Sequence, residues 1–308
     1  MINRILIRIR VIQIVYAWYQ NRKQDLMQVE NELLLGLQKS YDLYFYSLLL
    51  LVELTDLYEK RVETKLNKFL PTDEDLNPKM QLINNQFILQ LRSNKMFVKH
   101  LAERPMSWES NIGFVKKVLN DILESDIYKE YIQIEKPTYK DDKDLWRKVF
   151  RTFIYRNEEL DDILEDESIF WNDDIEIVQS FVFKTIKRFN KSEGEDQPLL
   201  PMFNDDEDRV YATKLLHETL LNEQSYREQI THHAKNWDFE RIAFMDVIIM
   251  QVAIAELYTF PTIPINVTLN EYIDIAKAYS TPKSNTFING ILDAVVTEFK
   301  KDKPFFKQ

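Results

Sequence analysis

The stretch that decides the fold spans residues 237–258 and reads W-D-F-E-R-I-A-F-M-D-V-I-I-M-Q-V-A-I-A-E-L-Y. Its apolar residues recur at the three-and-four spacing of one helical face, at Ile242, Met245, Ile249, Val252, Ala253 and Leu257. Val247 and Ile254 are also apolar but fall off that face. Because a helix that is apolar on nearly every side must be enclosed by other helices, the stretch predicts the central helix of a bundle.

A second helix is predicted shortly after the central one. Pro261 and Pro264 end the first helix, because proline lacks the amide hydrogen that would continue the hydrogen-bond ladder. Residues 266–279 then return to helical spacing, with Thr268 as a candidate N-cap. Glu271 follows three residues later, so we expect a capping box at this helix start.

A third helix is predicted after Pro282, with apolar residues at Phe287, Ile291, Leu292 and Val295. Gly290 lies inside it, although glycine costs a helix about 1 kcal/mol relative to alanine. We therefore expect a neighbouring backbone to approach this position closely.

Composition favours an all-α fold. The chain has 308 residues, which is long enough for one extended or two fused helical units. Only four glycines and ten prolines leave little turn chemistry for an all-β fold. The absence of cysteine excludes disulfides, thiolate metal ligands and cysteine nucleophiles. Arg4, Arg8 and Arg10 interrupt the apolar start of the chain, and no 18-residue uncharged apolar run occurs, so we expect a cytoplasmic protein without membrane spans.

The formal net charge of −10 is unevenly distributed. Residues 156–209 contain six Lys or Arg and seventeen Asp or Glu, and we expect this acidic stretch to repel RNA. The first 23 residues contain five Lys or Arg and no acid. The acidic total therefore does not exclude a nucleic-acid-binding surface elsewhere.

Two motifs in the last two helices resemble a known family. L-N-E-Y-I-D-I-A-K at residues 269–277 and S-N-T-F-I-N-G-I-L-D at residues 284–293 resemble the paired signature of the NusB family of bacterial transcription antitermination factors. The family pattern is roughly I-N-E-A-x-x-L-A-K followed by S-x-K-F-V-N-G-V-L-D. Residues 255–257 also stand where the family has tyrosine-glutamate-leucine, and Q-I-V-Y-A-W at residues 13–18 resembles its first helix.

The resemblance implies a NusB-like helical bundle made from both ends of the chain. Residues 1–20 and 208–308 are expected to form this bundle, and residues 21–207 are expected to be a helical insertion. The polar, acidic segment 191–208 is its predicted linker. The task of the insertion cannot be inferred from the resemblance.

The resemblance also implies an RNA-binding surface, in which Lys and Arg hold phosphates and aromatic rings contact unpaired bases. Carried over by position, its residues are Arg4, Arg8, Tyr16, Lys283, Ser284, Thr286 and Phe287. The remaining motif positions are expected to hold the helices together, namely Asn270, Glu271, Lys277, Asn289 and Gly290.

The function implied by the family is non-catalytic and needs no cofactor. It consists of binding the boxA element of ribosomal RNA leaders together with NusE, the small-subunit ribosomal protein, and acting on RNA polymerase. The alternative is a helical protein-protein adaptor with weak or no RNA binding. Ile5, Leu6 and Thr286 favour this alternative, because the family often has cationic residues at these positions.

Enzyme and metal sites have little support in the sequence. Phosphate-binding motifs such as G-x-G-x-x-G are absent, and the paired acids at residues 161–162, 173–174 and 205–206 are adjacent. Adjacent side chains on a helix point about 100° apart and do not converge on one atom. By the same reasoning we expect His232 and His233 to diverge and to bind no metal.

Overall fold

The computed structural model is all-α, which confirms the predicted fold class. It describes residues 1–21, 25–234, 242–281 and 284–302, and no strand occurs among them. No helix in these ranges is both long enough and apolar enough to cross a membrane. The chain divides into two compact units. The terminal unit consists of Ile2–Leu37 and Phe203–Gln308, and the central unit consists of Met1 and Gln38–Met202.

The α-helices, in chain order, are α1 (Arg4–Gln20), α2 (Leu26–Leu66), α3 (Asp73–Leu76), α4 (Gln86–Arg92), α5 (Lys95–Glu103), α6 (Ile112–Glu124), α7 (Asp126–Tyr131), α8 (Tyr139–Val149), α9 (Glu158–Glu167), α10 (Ile175–Arg188), α11 (Asp206–Leu221), α12 (Glu223–His233), α13 (Phe244–Thr259), α14 (Ile265–Tyr279) and α15 (Ser284–Asp302). Two 3₁₀ helices, Glu109–Asn111 and Lys191–Asp196, and a π-helical turn, Phe150–Ile154, complete them. Helix α2 contributes residues 26–37 to the terminal unit and the remainder to the central unit.

Helix α13 is the central element of the terminal unit. It packs against α1, α11, α12, α14 and α15, and every residue from Asp246 to Leu257 is buried. Burying one large aliphatic side chain stabilises the fold by about 1.5–3 kcal/mol, so this helix supplies much of the core. The prediction of a central helix is confirmed from Phe244 onward, whereas residues 237–241 lie outside the described residues.

The N-cap prediction for α14 is wrong. The helix begins at Ile265, three residues before Thr268, and Pro264 occupies the N-cap position. Thr268 lies one turn inside the helix, where its side chain is buried and its hydroxyl donates to Glu256 Oε1 at 2.7 Å. Its hydroxyl therefore stabilises a contact between helices and does not cap one.

Gly290 is not required by a close backbone approach, contrary to expectation. A Cβ built at this position meets no atom of the described part of the chain within 4 Å, and the residue is exposed on α15. The close approach occurs instead at Gly36 of α2, where a Cβ would lie 2.7 Å from Arg10 Cδ. Glycine at residue 36 therefore makes room for a buried arginine of α1.

The central unit has its own aromatic core and an ion pair built on the buried carboxylate of Asp42. Trp108, Trp146 and Phe150 are almost fully buried in it. Asp42 accepts hydrogen bonds from Arg104 Nε at 2.7 Å and from Arg104 Nη2 at 2.6 Å. Burial alone would raise the pKa of Asp42, but hydrogen bonds from His100 and Arg104 lower it below its ordinary value.

The segment expected to be an acidic linker is packed in its first half. Its 3₁₀ helix contacts α4 and α5. Gln90 Nε2 donates to the carbonyls of Asn190 and Gly194, and Asn94 Nδ2 donates to the carbonyl of Gln197 at 2.7 Å. Residues 191–202 therefore belong to the central unit, and the boundary falls between Met202 and Phe203.

Candidate functional site

The residues expected to contact RNA lie on two helices of the terminal unit. Arg4, Arg8 and Tyr16 lie on α1, and Ser284, Thr286 and Phe287 lie on the first turn of α15. Lys283 lies outside the described residues. The environment of each side chain decides whether it can reach a ligand.

Arg8 is buried, with 3 % of its side chain exposed. Its guanidinium makes a bidentate contact with Glu256, from Nε at 2.8 Å and from Nη2 at 3.0 Å. Its Nη1 donates to Glu271 Oε2 at 3.3 Å. Two carboxylates therefore occupy the donors that we expected to contact RNA phosphates, and Arg8 joins α1 to α13 and α14.

Glu256 is the acceptor at the centre of a buried network. Besides Arg8, it accepts hydrogen bonds from the hydroxyls of Tyr211, Thr268 at 2.7 Å and Tyr272 at 3.1 Å. Burial would raise the pKa of Glu256, but the hydrogen bonds and charge of Arg8 lower it below its ordinary value. A fully buried carboxylate thus stays ionised because cationic and hydroxyl donors surround it.

The two tyrosines of this network remain neutral. Burial and the charge of Glu256 raise the pKa of both Tyr211 and Tyr272 well above the ordinary value for tyrosine. Their hydroxyls therefore act as donors at every ordinary pH. The sequence analysis missed both residues, although an arginine and a glutamate on two nearly all-apolar helices are a signal for a buried pair.

Arg4 keeps part of its side chain at the surface, with 39 % exposed. Its Nε lies 3.4 Å from Asp208 Oδ1, and its guanidinium carbon lies 5.0 Å from the centre of the Tyr211 ring. Such an exposed ion pair is worth at most about 1 kcal/mol, so a phosphate can compete for this guanidinium.

Ser284 holds the start of α15 in place. It is buried, and its Oγ lies 3.0 Å from Ser280 Oγ and 2.8 Å from Thr281 Oγ1. The hydroxyl of Ser280 donates to the buried carboxylate of Asp246 on α13. Ser284 is thus used within the protein, whereas Thr286 is exposed and Phe287 is partly exposed.

The five motif residues expected to hold helices together differ in their contacts. Glu271 contacts another helix through Arg8. Lys277 pairs with Asp274 at 2.7 Å, and Asn289 donates to Asp293 at 3.1 Å, in each case on its own helix. Asn270, Lys277 and Gly290 are exposed. Much of the motif therefore faces outward, where a partner can contact it.

An aromatic patch lies at the surface of the terminal unit and consists of Tyr16, Phe244 and Arg227, with the buried Tyr19 beside them. Tyr16 and Phe244 are 38 % and 37 % exposed, and their ring centres are 5.6 Å apart. The Arg227 guanidinium carbon lies 4.3 Å from the centre of the Tyr19 ring and 5.8 Å from that of Phe244. Exposed rings beside a cation can stack on unpaired bases. Sequence reasoning found Tyr16 but missed Phe244 and Arg227.

His232 and His233 do not diverge as expected. Their ring centres are 5.0 Å apart, and His233 Nε2 lies 2.8 Å from Glu298 Oε2. Potential ligand atoms of these three residues all lie within 4.8 Å of one another. Structural zinc sites generally use four protein ligands, so this group alone supports no metal site.

Comparison with known proteins identifies one family. The family model described as "NusB family" matches residues 176–297. A protein of Salinibacter ruber named "Transcription antitermination protein NusB" is 37 % identical over 123 residues, which cover 38 % of this chain and 77 % of that protein. No solved structure matches the chain.

Two further relatives with the same name show how coverage varies. The protein of Methylacidiphilum infernorum is 33 % identical over 127 residues, or 40 % of this chain and 87 % of the relative. The protein of Chloroherpeton thalassium is 42 % identical over 90 residues, or 29 % of this chain and 43 % of the relative. The similarity therefore covers most of some relatives but less than half of this chain.

Proposed function

The chain belongs to the NusB family, and on this premise we propose that it is a transcription antitermination factor that binds RNA through its terminal unit. The family is non-catalytic, and the chain is not an enzyme. The proposed RNA is a boxA-type element of ribosomal RNA leaders, bound together with NusE and delivered to RNA polymerase in the cytoplasm.

The aromatic patch is the observation that carries this proposal. It offers two exposed rings, Tyr16 and Phe244, next to the guanidinium of Arg227. Unpaired bases stack on such rings, while cations hold the neighbouring phosphates. Arg4, Thr286 and Phe287 are further exposed or partly exposed residues of the same unit, and Lys283 is a further proposed cation. Arg8 and Ser284 are left out as direct contacts, because both are buried in internal networks.

Fluorescence anisotropy with a labelled boxA-type oligonucleotide tests the proposal. Affinity should fall steeply with salt, because bound phosphates release counterions, and NusE should increase affinity. The double variant Tyr16→Leu, Phe244→Leu should bind at least about tenfold more weakly, since stacking contributes about 1–3 kcal/mol per base. The matched control is Val210→Ala, Val267→Ala, which changes two exposed apolar residues of the same unit and should bind normally.

The alternative, a protein-protein adaptor, gives a different result in the same measurement. The exposed Ile5, at a position where arginine is common in the family, is the observation that favours it. An adaptor would bind NusE without boxA-type RNA and would show no salt dependence for RNA. Equal RNA affinities of the Tyr16→Leu, Phe244→Leu variant and the Val210→Ala, Val267→Ala control would also contradict the proposed surface.

A further inference from the structure

A concentration of positive charge lies in the central unit, within a chain whose net charge is −10. Residues 143–156 and 177–191 together contain nine Lys or Arg and a single acid, Asp144. The two segments are neighbours in space, because α8 packs against α10. This surface differs from the acidic character that residues 156–209 have as a whole.

Several of these cations have no acidic partner. Asp144 pairs with Arg147 at 2.7 Å, and Lys143 donates to the carbonyls of Lys187 and Phe189 at the end of α10. Arg151 and Lys184 are exposed, and among the described residues neither has a carboxylate within 4.0 Å. The same holds for the side chains of Lys187 and Arg188, so a run of positive charge faces solvent without compensation.

Aromatic rings are interleaved with these cations. The Lys184 ammonium lies 5.0 Å from the centre of the Phe181 ring, and the Arg147 guanidinium carbon lies 5.9 Å from that of Phe183. The Arg156 guanidinium carbon lies 5.3 Å from the centre of the Tyr155 ring, although this guanidinium is also paired with Glu176. All three rings are partly exposed. An anionic ligand alone would need only the cations, whereas rings and cations together suit bases joined by phosphates.

Two of these rings, Tyr155 and Phe183, and two of the unpaired cations, Arg151 and Lys184, line an open groove of about 280 Å³ together with Ser180. We call it the basic groove. Its wall includes the π-helical turn, a feature that often occurs at functional sites. Arg156, which follows this turn, has φ +55°, and its amide donates to Gln179 Oε1 on α10 at 3.1 Å. This left-handed residue fixes the end of the turn against α10 and so holds Tyr155 beside Phe183.

We infer that the basic groove is a second nucleic-acid-binding site, which takes a single-stranded RNA segment with its bases on Tyr155 and Phe183. Its phosphates would contact Arg151 and Lys184 in the groove and Lys187, which is exposed one turn further along α10. A double helix does not fit this role, because its bases are already stacked and paired. The choice of RNA instead of DNA rests on the proposed function. The site itself does not, since it stands on residues outside the terminal unit.

Binding of fluorescein-labelled 12-nucleotide oligouridylate to the full chain tests the inference. The variant Arg151→Gln, Lys184→Gln, Lys187→Gln should bind about tenfold more weakly, with a salt slope smaller by about 2, as expected for three lost phosphate contacts on a single strand. The control Lys65→Gln, Lys99→Gln, Lys116→Gln removes the same charge from exposed lysines elsewhere in the central unit. It should bind within twofold of the unchanged chain.

A variant that preserves charge separates base stacking from simple attraction. Tyr155→Leu, Phe183→Leu should also weaken oligouridylate binding at least about tenfold. The affinity of this variant for poly-L-glutamate should equal that of the unchanged chain, because the cations remain. Circular dichroism checks that each variant is folded. Photo-crosslinking of 4-thiouridine-labelled RNA should modify peptides from residues 143–156 or 177–191.

Three results would overturn the inference. Equal RNA binding by the Arg151→Gln, Lys184→Gln, Lys187→Gln variant and by the lysine control would show that the groove is not an RNA site. Displacement by poly-L-glutamate as effective as by unlabelled RNA would make the groove a site for an acidic protein. DNA binding at least as tight as RNA binding would contradict the choice of RNA. Loss of boxA binding in the Tyr16 and Phe244 variant, with oligouridylate binding retained, would leave the groove intact, so the two proposals fail independently.

Discussion

Arg8 and Glu256 show how a residue can be essential to a fold without touching a ligand. A buried ion pair is stable only when its remaining hydrogen-bonding capacity is also satisfied, and here Glu271 and three hydroxyls supply that. The network connects α1 and α11 to α13 and α14. It explains why an arginine and a glutamate occur in two helices that are otherwise packed with apolar side chains.

Replacing Arg8 by Met should destabilise the protein by about 3–5 kcal/mol, because Glu256 would be left as a buried charge without its cation. Arg4→Met, at a partly exposed position on the same helix, should cost at most about 1 kcal/mol. Urea unfolding followed by circular dichroism measures both. Part of the loss should be recovered by Arg8→Met with Glu256→Gln, and equal effects of the two single variants would disprove the buried role.

Stability should fall in acid partly because of Glu256. Its pKa in the folded protein lies below the ordinary value of 4.5, so the unfolded chain takes up a proton first as pH decreases. The contribution of the ionised Glu256 to the free energy of unfolding is present above about pH 4.5. It is lost as pH falls through the lower pKa that Glu256 has in the folded protein. The urea midpoint should therefore decline more steeply from pH 5 to pH 3 in the unchanged protein than in Glu256→Gln. Parallel curves would contradict this assignment.

At the scale of helices, periodicity predicted α13 well and predicted capping poorly. An apolar surface on all sides has one outcome, burial, so residues 246–257 could be assigned to the core from sequence alone. The sequence allowed two N-cap residues for α14, Thr268 or Pro264, and Pro264 occupies the N-cap position. Contacts such as Gly36 with Arg10 join residues on different helices, and no local pattern specifies which helices will meet.

Gly36 and Gly290 should respond oppositely to substitution by alanine. At Gly36 the new methyl would lie 2.7 Å from buried Arg10 Cδ, and we expect a loss of about 1–3 kcal/mol. At Gly290 nothing lies within 4 Å, and alanine should stabilise α15 by about 0.5–1 kcal/mol. Thermal unfolding distinguishes the two signs.

Gly290→Ala carries a second expectation. Since no atom of the described residues lies within 4 Å of a Cβ at residue 290, we expect the RNA or a protein partner to use this space. The alanine variant should then be more stable and yet bind boxA-type RNA or NusE more weakly. Unchanged affinity for both would show that the glycine has no such role.

At the scale of the whole molecule, two units with separate cores explain why the similarity to known relatives stops short. The terminal unit contains most of the residues that the family model matches, whereas residues 38–175 of the central unit lie outside it. The expected bundle of residues 1–20 and 208–308 rested on local motifs, and the division of the chain at these residues stays a prediction. The basic groove could not be predicted, because Lys184 and Lys187 lie in a stretch that is acidic on average, Arg151 lies outside that stretch, and only folding brings the three together.

Separate cores should also give separate stabilities. In Arg8→Met, amide hydrogen exchange in α13 should accelerate about a hundredfold, which corresponds to about 3 kcal/mol. Exchange in α8 and α10 of the central unit should change less than tenfold. Equal acceleration in both units would show that they unfold as one.

The terminal unit takes its first helix from one end of the chain and its central helix from near the other. A ribosome adds about 5–20 residues per second, so α1 is made on the order of ten to forty seconds before α13 exists to receive it. The central unit, apart from Met1, consists of the continuous segment 38–202, so it can fold before α13 is synthesised and packs against α1. The apolar surface of α1 is therefore exposed during that interval. We expect a chaperone to bind this segment during translation.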